Sequence, residues 1–442
     1  MTQAPDRGEL VAAVSNQEFT SALNRLGPFE AAPRLAVACS GGPDSMVLLA
    51  LTQDWALRAG GSVTALIVDH RLREESAAEA EWAADQAVRL GVSSAILSLA
   101  GARHVSNLQA RARAGRYGLL FEWCRAHGHL HLLVGHHRDD QSETVRMRAE
   151  RGSGEDGLAA MAPVHERAHA RVLRPLLDFP KARLQATLQA RGLSSVSDPS
   201  NQDIRFDRVR IRQSPLTQAR TAQLEAATRE KSLARRERER ESAALLARAC
   251  EWYPEGYARL DPRVFASAAP GIARRCLSAM LSAIGGRMQP PRRRKVEGLH
   301  EMIVNGALDG GRTLAGCRIV PHCDEILVVR EAALVGRAIP ATNNGQWDGR
   351  FEFTFAAEVP DAEIRKLGRS GLHEITRDGC GIAVGHLPKI VRTTLPAVSD
   401  LEGVCEVPHL SYSRRLSGAG GQVVGSVHFA PQRPISATRF TI

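Results

Sequence analysis

The chain's 442 residues exceed one ordinary domain and suffice for two or three, each with its own core. Hydrophobic residues at 43% and charged residues at 24% exclude a largely disordered chain. The formal charge of +10 favours a polyanionic partner such as nucleic acid, although only five of the 58 basic residues are lysines and base composition is a second source of so much arginine.

The opening MTQAPDRGEL lacks the basic start and apolar core of a secretory signal. No segment approaches the roughly 20 apolar residues of a membrane span. A cytoplasmic protein without a membrane partner is therefore expected. The cysteines Cys39, Cys124, Cys250, Cys276, Cys317, Cys323, Cys380 and Cys405 form no CxxC pair and have no histidine at zinc-ligand spacing, so they read as reduced and mostly buried thiols.

In chain order, RLAVAC at 34–39 is a short apolar strand ending in a Gly-rich turn, and 43–57 reads as a helix with proline in its first turn. VTALIVD at 63–69, a helix over 76–90, SSAILSL at 93–99, a helix over 107–127, HLLVG at 131–135 and a further helix continue the alternation. Strands spaced by helices predict a parallel sheet covered on both faces, with ligands at the carboxyl ends of the strands. This α/β domain is expected to occupy residues 1–215.

Residues 222–242 carry six basic and five acidic side chains and read as a solvated connecting helix, with helical structure continuing to about 284. Arg292, Arg293, Arg294 and Lys295 form the one-signed cluster of the second half. A helical connecting region that contacts the polyanionic partner is expected over 216–309. After about 310, alternating stretches such as CRIVPHCDEILVVRE and RFEFTFAAE, with a turn at Asn344-Gly345, predict a small mixed α/β domain over 310–442.

The motif SGGPDS, Ser40 to Ser45, lies between the first strand and the first helix. Gly41 and Gly42 let backbone N–H groups approach an anion, Pro43 opens the helix, Ser40 and Ser45 add hydroxyls, and the helix N-terminus is positive. The usual triphosphate loop ends in GK[ST], whereas Asp44 stands here and no lysine precedes Lys181. A carboxylate beside a triphosphate is repulsive without a metal between them, so Asp44 implies Mg²⁺.

This loop resembles that of the N-type ATP pyrophosphatases, the PP-loop family, whose members adenylate a substrate oxygen and release pyrophosphate. Further motifs narrow the resemblance: VDHRLR at 68–73, NLQARARAGRY at 107–117, GHHRDDQSET at 135–144, RGSGEDGLAAM at 151–161, RPLL at 174–177 and DPSN at 198–201, followed by Arg208 and Arg212. In this order the set is similar to the tRNA(Ile)-lysidine synthase family over about residues 34–213. Two positions depart from that pattern, with Val209 where asparagine is common and Gln109 where an acidic residue is usual.

The resemblance implies ATP-dependent joining of free L-lysine to the wobble cytidine of the CAU-anticodon isoleucine tRNA through an adenylated tRNA. It implies an ATP site of Ser40, Gly41, Gly42, Pro43, Asp44, Ser45, His70, Arg73, His136 and Gly152, with Mg²⁺ on Asp44. Catalysis falls to Asp44 with Asp139 or Asp140 as the proton acceptor, although either carboxylate could bind the lysine ammonium instead. Arg113, Arg116, Arg208 and Arg212 would approach tRNA, a solvated basic stripe being the competing reading of Arg113 and Arg116 with Tyr117. A tRNA-thiolation enzyme with an intrinsic cysteine pair is disfavoured by the missing CxxC. An amidotransferase-type synthetase is disfavoured by Thr2 where a nucleophilic cysteine would stand. A tRNA-binding protein without catalysis is disfavoured by the intact loop. The oligomeric state is left open, a homodimer included.

Overall fold

A computed structural model describes residues 11–71, 75–99, 108–150, 155–167, 170–196, 211, 218–341, 345–356, 361–377, 384–414, 423–433 and 435. Two compact units divide the chain, the first reaching to Arg236 and the second beginning at Glu237.

The first unit alternates helices and strands: α1 (Asn16–Asn24), β1 (Arg34–Ala38), α2 (Pro43–Arg58), β2 (Ser62–Asp69), α3 (Ser76–Arg89), β3 (Ser93–Ser98), α4 (Leu108–Ala126), β4 (His131–Val134), α5 (Arg138–Glu150), α6 (Glu155–Leu158), β5 (Val164–Glu166), β6 (Arg171–Leu173) and α7 (Lys181–Ala190). The sheet order is β3-β2-β1-β4-β6-β5. Every pairing is parallel except that of β5 with β6, so an antiparallel edge strand is added to the expected parallel sheet.

Residues alternate between two cores, as the period of a strand requires. Leu35, Val37, Ala65, Ile67 and Leu133 pack with Leu48, Leu51 and Ala83 from α2 and α3. Ala36, Leu66, Leu132 and Val134 pack on the other face with Leu120 and Cys124 from α4. The order reverses at β1, which pairs β2 on one side and β4 on the other, with Ala38 opposite both Leu66 and Val134. This reversal opens a crevice beyond the carboxyl ends of β1 and β4, where loops can part to admit a ligand.

A helix over Gln218–Ala249 extends the expected 222–242 helix at both ends. Beyond it the continuous helical reading to 284 gives way to a hairpin, β7 (Cys250–Tyr253) and β8 (Tyr257–Leu260), before helices Pro262–Ala266 and Pro270–Ile284. Pro254 cannot extend a helix, Gly256 takes φ +80°, and Tyr253 stacks on Tyr257 across the hairpin with ring centroids 4.3 Å apart. The helix Arg293–Val304 follows.

Among the described residues the second unit holds three sheets. One joins the hairpin to β9 (Arg312–Leu314), β10 (Cys317–His322) and β11 (Glu325–Arg330) in the order β7-β8-β11-β10-β9. The others are built from β12 (Ile339–Pro340), β13 (Gly345–Trp347), β14 (Phe351–Phe355), β15 (Glu363–Lys366), β16 (Pro396–Asp400), β17 (Gly403–Val407), β18 (Tyr412–Ser413) and β19 (Val424–Phe429), ordered β12-β15-β16-β17-β18 and β13-β14-β19. The β10–β11 hairpin and β14 fall in the two alternating stretches; Asn344 of the expected turn lies outside the described residues.

Among the described residues no helix is long and apolar enough to cross a membrane. The described cysteines are unpaired, five buried, with Cys250 half-buried and Cys323 exposed.

Candidate active site

SGGPDS leaves β1 at the crevice. Gly41 adopts φ +76°, a conformation that costs any residue with a Cβ, and turns the chain back towards α2. Gly42 occupies the N-cap without a side-chain cap, and Pro43 brings no N–H to the first turn. Ser45 closes the loop: its buried hydroxyl accepts the Ser40 N–H at 3.2 Å and donates to the Gly42 carbonyl at 2.9 Å. Ser40 is exposed, with its Oγ 3.3 Å from that of Ser45. The positive end of α2, with Ser40 exposed and Gly42, Pro43 and Asp44 half-buried, therefore lies at the strand ends, which suits an anion.

Asp44, in the first turn of α2, keeps a side-chain exposure of 25% and places Oδ2 3.6 Å from Nε2 of His137. Gly135 packs beside this loop, where a Cβ would make an ordinary contact of 3.4 Å with the backbone of Asp44 and Ser45. His137 follows β4, is 2% exposed, and is ringed by acids. Its Nε2 also lies 3.6 Å from Asp140 Oδ2, its Nδ1 lies 3.4 Å from Asp139 Oδ2, and its backbone N–H donates to Asp140 Oδ2 at 3.0 Å. Burial opposes the charged imidazolium, but the Asp139 contact and the charges of Asp140 and Asp44 outweigh it and hold His137 above the usual imidazole value.

The two adjacent aspartates differ. Asp139 is half exposed, meets His137 and accepts the Lys181 N–H at 2.7 Å, so it caps α7, whose own N-cap is Pro180 without a side-chain cap. The His137 contact, assisted by that backbone bond, lowers the Asp139 pKa against the effect of burial. Asp140 is buried in the first turn of α5, and Glu143, also buried, follows one turn later on the same face.

His136 is half-buried and accepts at Nδ1 from Nε of Arg174 at 3.3 Å, which assigns the ring proton to Nε2. Arg174, from the RPLL motif, also donates to the Ala162 carbonyl at 2.7 Å. Half-buried His70 follows β2 beside Asp69, whose carboxylate accepts the Arg71 N–H at 2.9 Å and the Ser76 hydroxyl; the Ser76 bond leads in lowering its pKa. Arg116 sits over the Tyr117 ring, 5.5 Å from its centroid. Arg73, Gly152, Arg208 and Arg212 lie outside the described residues, as does the side chain of Arg113.

Thus the loop, His136, Asp139 and Asp140 gather at the ends of β1 and β4. His137, which the sequence places among the polar groups converging after β4 without a separate role, and Arg174 of the RPLL motif, given none, prove central to the contacts. Among the described residues no three His, Cys, Asp or Glu side chains form a metal cage. Mg²⁺ does not need one, since it binds through one or two carboxylates together with substrate phosphates and waters, and Asp44 in the first turn of α2 fits that donor set.

The PP-loop domain family matches residues 12–219, and the chain carries the ATP-binding loop that defines that class. Relatives specify it further. The tRNA(Ile)-lysidine synthase of Ruegeria pomeroyi is 36% identical over 78% of this chain and 82% of its own length. That of Orientia tsutsugamushi is 28% identical over 89% and 93%, and that of Methylobacterium nodulans 39% identical over 70% and 93%. Among solved structures, the U34-tRNA thiolase NcsA from Methanococcus maripaludis is similar at a TM-score of 0.42 and 16% identity, over 49% of this chain and 77% of that one. The chain belongs to the tRNA(Ile)-lysidine synthase family and is an enzyme of the ligase class.

Proposed function

We propose that the protein joins free L-lysine to C2 of the wobble cytidine in CAU-anticodon isoleucine tRNA, releasing AMP and pyrophosphate through an adenylated tRNA. The observation that carries the reading is the meeting of the SGGPDS loop with Asp44, His137 and Asp140 at the reversal of the strand order. Curated relatives bearing the lysidine synthase name support the choice of tRNA substrate.

The cytosine O2 attacks the α-phosphate of ATP, pyrophosphate leaves, and the poor leaving oxygen becomes the oxygen of an AMP ester. The glycine-lined turn and the end of α2 stabilise charge on the departing pyrophosphate. Mg²⁺, which Asp44 would hold, supplies further neutralisation of the phosphate charge. The lysine amine must lose its protons to attack C2 and displace AMP. Asp140 is assigned that proton. It lies at the crevice, whereas Asp139 is committed to Lys181 and His137 and kept anionic. Glu143, likewise buried and one turn further along α5, adds a second carboxylate for the lysine ammonium.

The deciding experiment incubates the protein with ATP, labelled lysine and purified CAU-anticodon isoleucine tRNA. Label entering the tRNA only in the presence of ATP is expected. Incorporation without ATP, or pyrophosphate release with no lysine transfer, would reject the reading.

A further inference from the structure

We propose that His137 is a positioning residue for adenylation, clamping the Asp44 carboxylate of the phosphate loop and the Asp140 carboxylate of α5 onto one imidazole nitrogen. The proposal rests on the reading of SGGPDS as the site of the ATP pyrophosphate. At 2% exposure His137 is sealed from substrate, so it acts through its neighbours. Nε2 stands 3.6 Å from Oδ2 of Asp44 and 3.6 Å from Oδ2 of Asp140, which brings together carboxylates that follow two different strands. Neighbouring carboxylates repel, and a donor between them lets both stay in one place.

The backbone strengthens this clamp. The His137 N–H donates to the same Asp140 oxygen at 3.0 Å, a local bond across the start of α5 that fixes this carboxylate against the ring. Nδ1 faces Asp139, which in turn caps α7 through Lys181. The ring therefore has a catalytic side, Nε2, and a scaffold side, Nδ1. Partners that orient the groups holding a metal or phosphate are typically worth 10–100-fold in activity.

That asymmetry makes the proposal testable. A glutamine amide nitrogen reaches about as far as Nε2, and an asparagine amide only as far as Nδ1. We would measure single-turnover pyrophosphate release for wild type, His137→Gln, His137→Asn and His137→Leu, with ATP, Mg²⁺ and CAU-anticodon isoleucine tRNA, alongside the thermal midpoint of each. Glutamine should keep the rate constant within about tenfold of wild type, while asparagine and leucine lower it by about 10–100-fold with the tRNA KM unchanged. A role in packing alone predicts losses that follow thermal stability and ignore donor position.

Asparagine matching glutamine, or leucine retaining the wild-type rate constant, would overturn the assignment. If the leucine variant does not fold, the ordering of glutamine and asparagine still decides. Wild-type protein releasing no pyrophosphate would overturn the underlying site reading, and the clamp with it. An active wild type without the glutamine preference removes only the role of His137.

Discussion

Replacing Asp139 with alanine separates the two adjacent aspartates, because the structure gives them different backbone partners. Asp139 accepts the Lys181 N–H at 2.7 Å and so serves as the missing cap of α7. Loss of such a cap typically costs about 1 kcal/mol. Its second contact, with His137, involves a carboxylate that is 52% exposed, so screening limits that share to under about 1 kcal/mol. Asp139→Ala should therefore lower unfolding stability by about 1–2 kcal/mol at pH 7, read from urea denaturation. The Asp139 pKa is lowered on folding. Its contribution is thus present above the ordinary carboxylate range and lost as pH falls through the lower folded value, so variant and wild type should converge in strong acid. Single-turnover transfer of lysine from preformed adenylated tRNA should fall less than about tenfold in this variant. In Asp140→Ala the same step should fall by about 10²–10⁴, with adenylated tRNA accumulating. Transfer reduced a hundredfold or more in Asp139→Ala at unchanged stability would refute the division of roles. Recovery of Asp140→Ala at high lysine would show that Asp140 binds the ammonium instead of taking its proton.

Asp44→Asn should abolish pyrophosphate release while leaving the thermal midpoint within a few degrees of wild type; near-normal release would remove the carboxylate from the phosphate site. Gly41→Ala meets Trp82 only at an ordinary contact of 3.4 Å, but φ +76° should cost about 1–2 kcal/mol, measurable by denaturation. An unchanged stability would mean that the turn relaxes. Arg292, Arg293, Arg294 and Lys295 are exposed around the N-terminus of the helix Arg293–Val304, where cations oppose the helix dipole. Changing all four to glutamine should leave stability unharmed and flatten the slope of log tRNA affinity against log salt by about 1–3, Arg293 being partly engaged by Glu297 at 2.8 Å. An identical slope would assign the cluster to ordinary surface.

Much of the first unit was legible because its signals are local. The apolar runs at 34–39, 63–69, 93–99 and 131–135 correspond to β1, β2, β3 and β4 within a residue or two, and the helices between them are where periodicity places them. The hairpin at 250–260 was missed because CEWYPEGYARL, following a long charged helix, has neither strict alternation nor a two-residue Asn-Gly turn; its aromatic stack needs both strands in place. The short β5 and β6 are three residues each, too brief to show a period.

By itself, the sequence determined the class of chemistry. Only a backbone free at Gly41, an acid at Asp44 and the ordered motifs that follow are compatible with this kind of phosphate loop, and each is a property of residue type and spacing. The tertiary structure alone decided which partners each member of the acidic cluster meets. Asp139 and Asp140 are neighbours in the chain and alike in composition, yet one accepts the Lys181 N–H of α7 and the other the His137 N–H, with the His137 ring between them. Likewise, Asp44 and Asp140 are 96 residues apart and meet only because β1 and β4 pair side by side where the strand order reverses. Contacts of that range depend on the pairing of strands, which no local pattern of residues encodes.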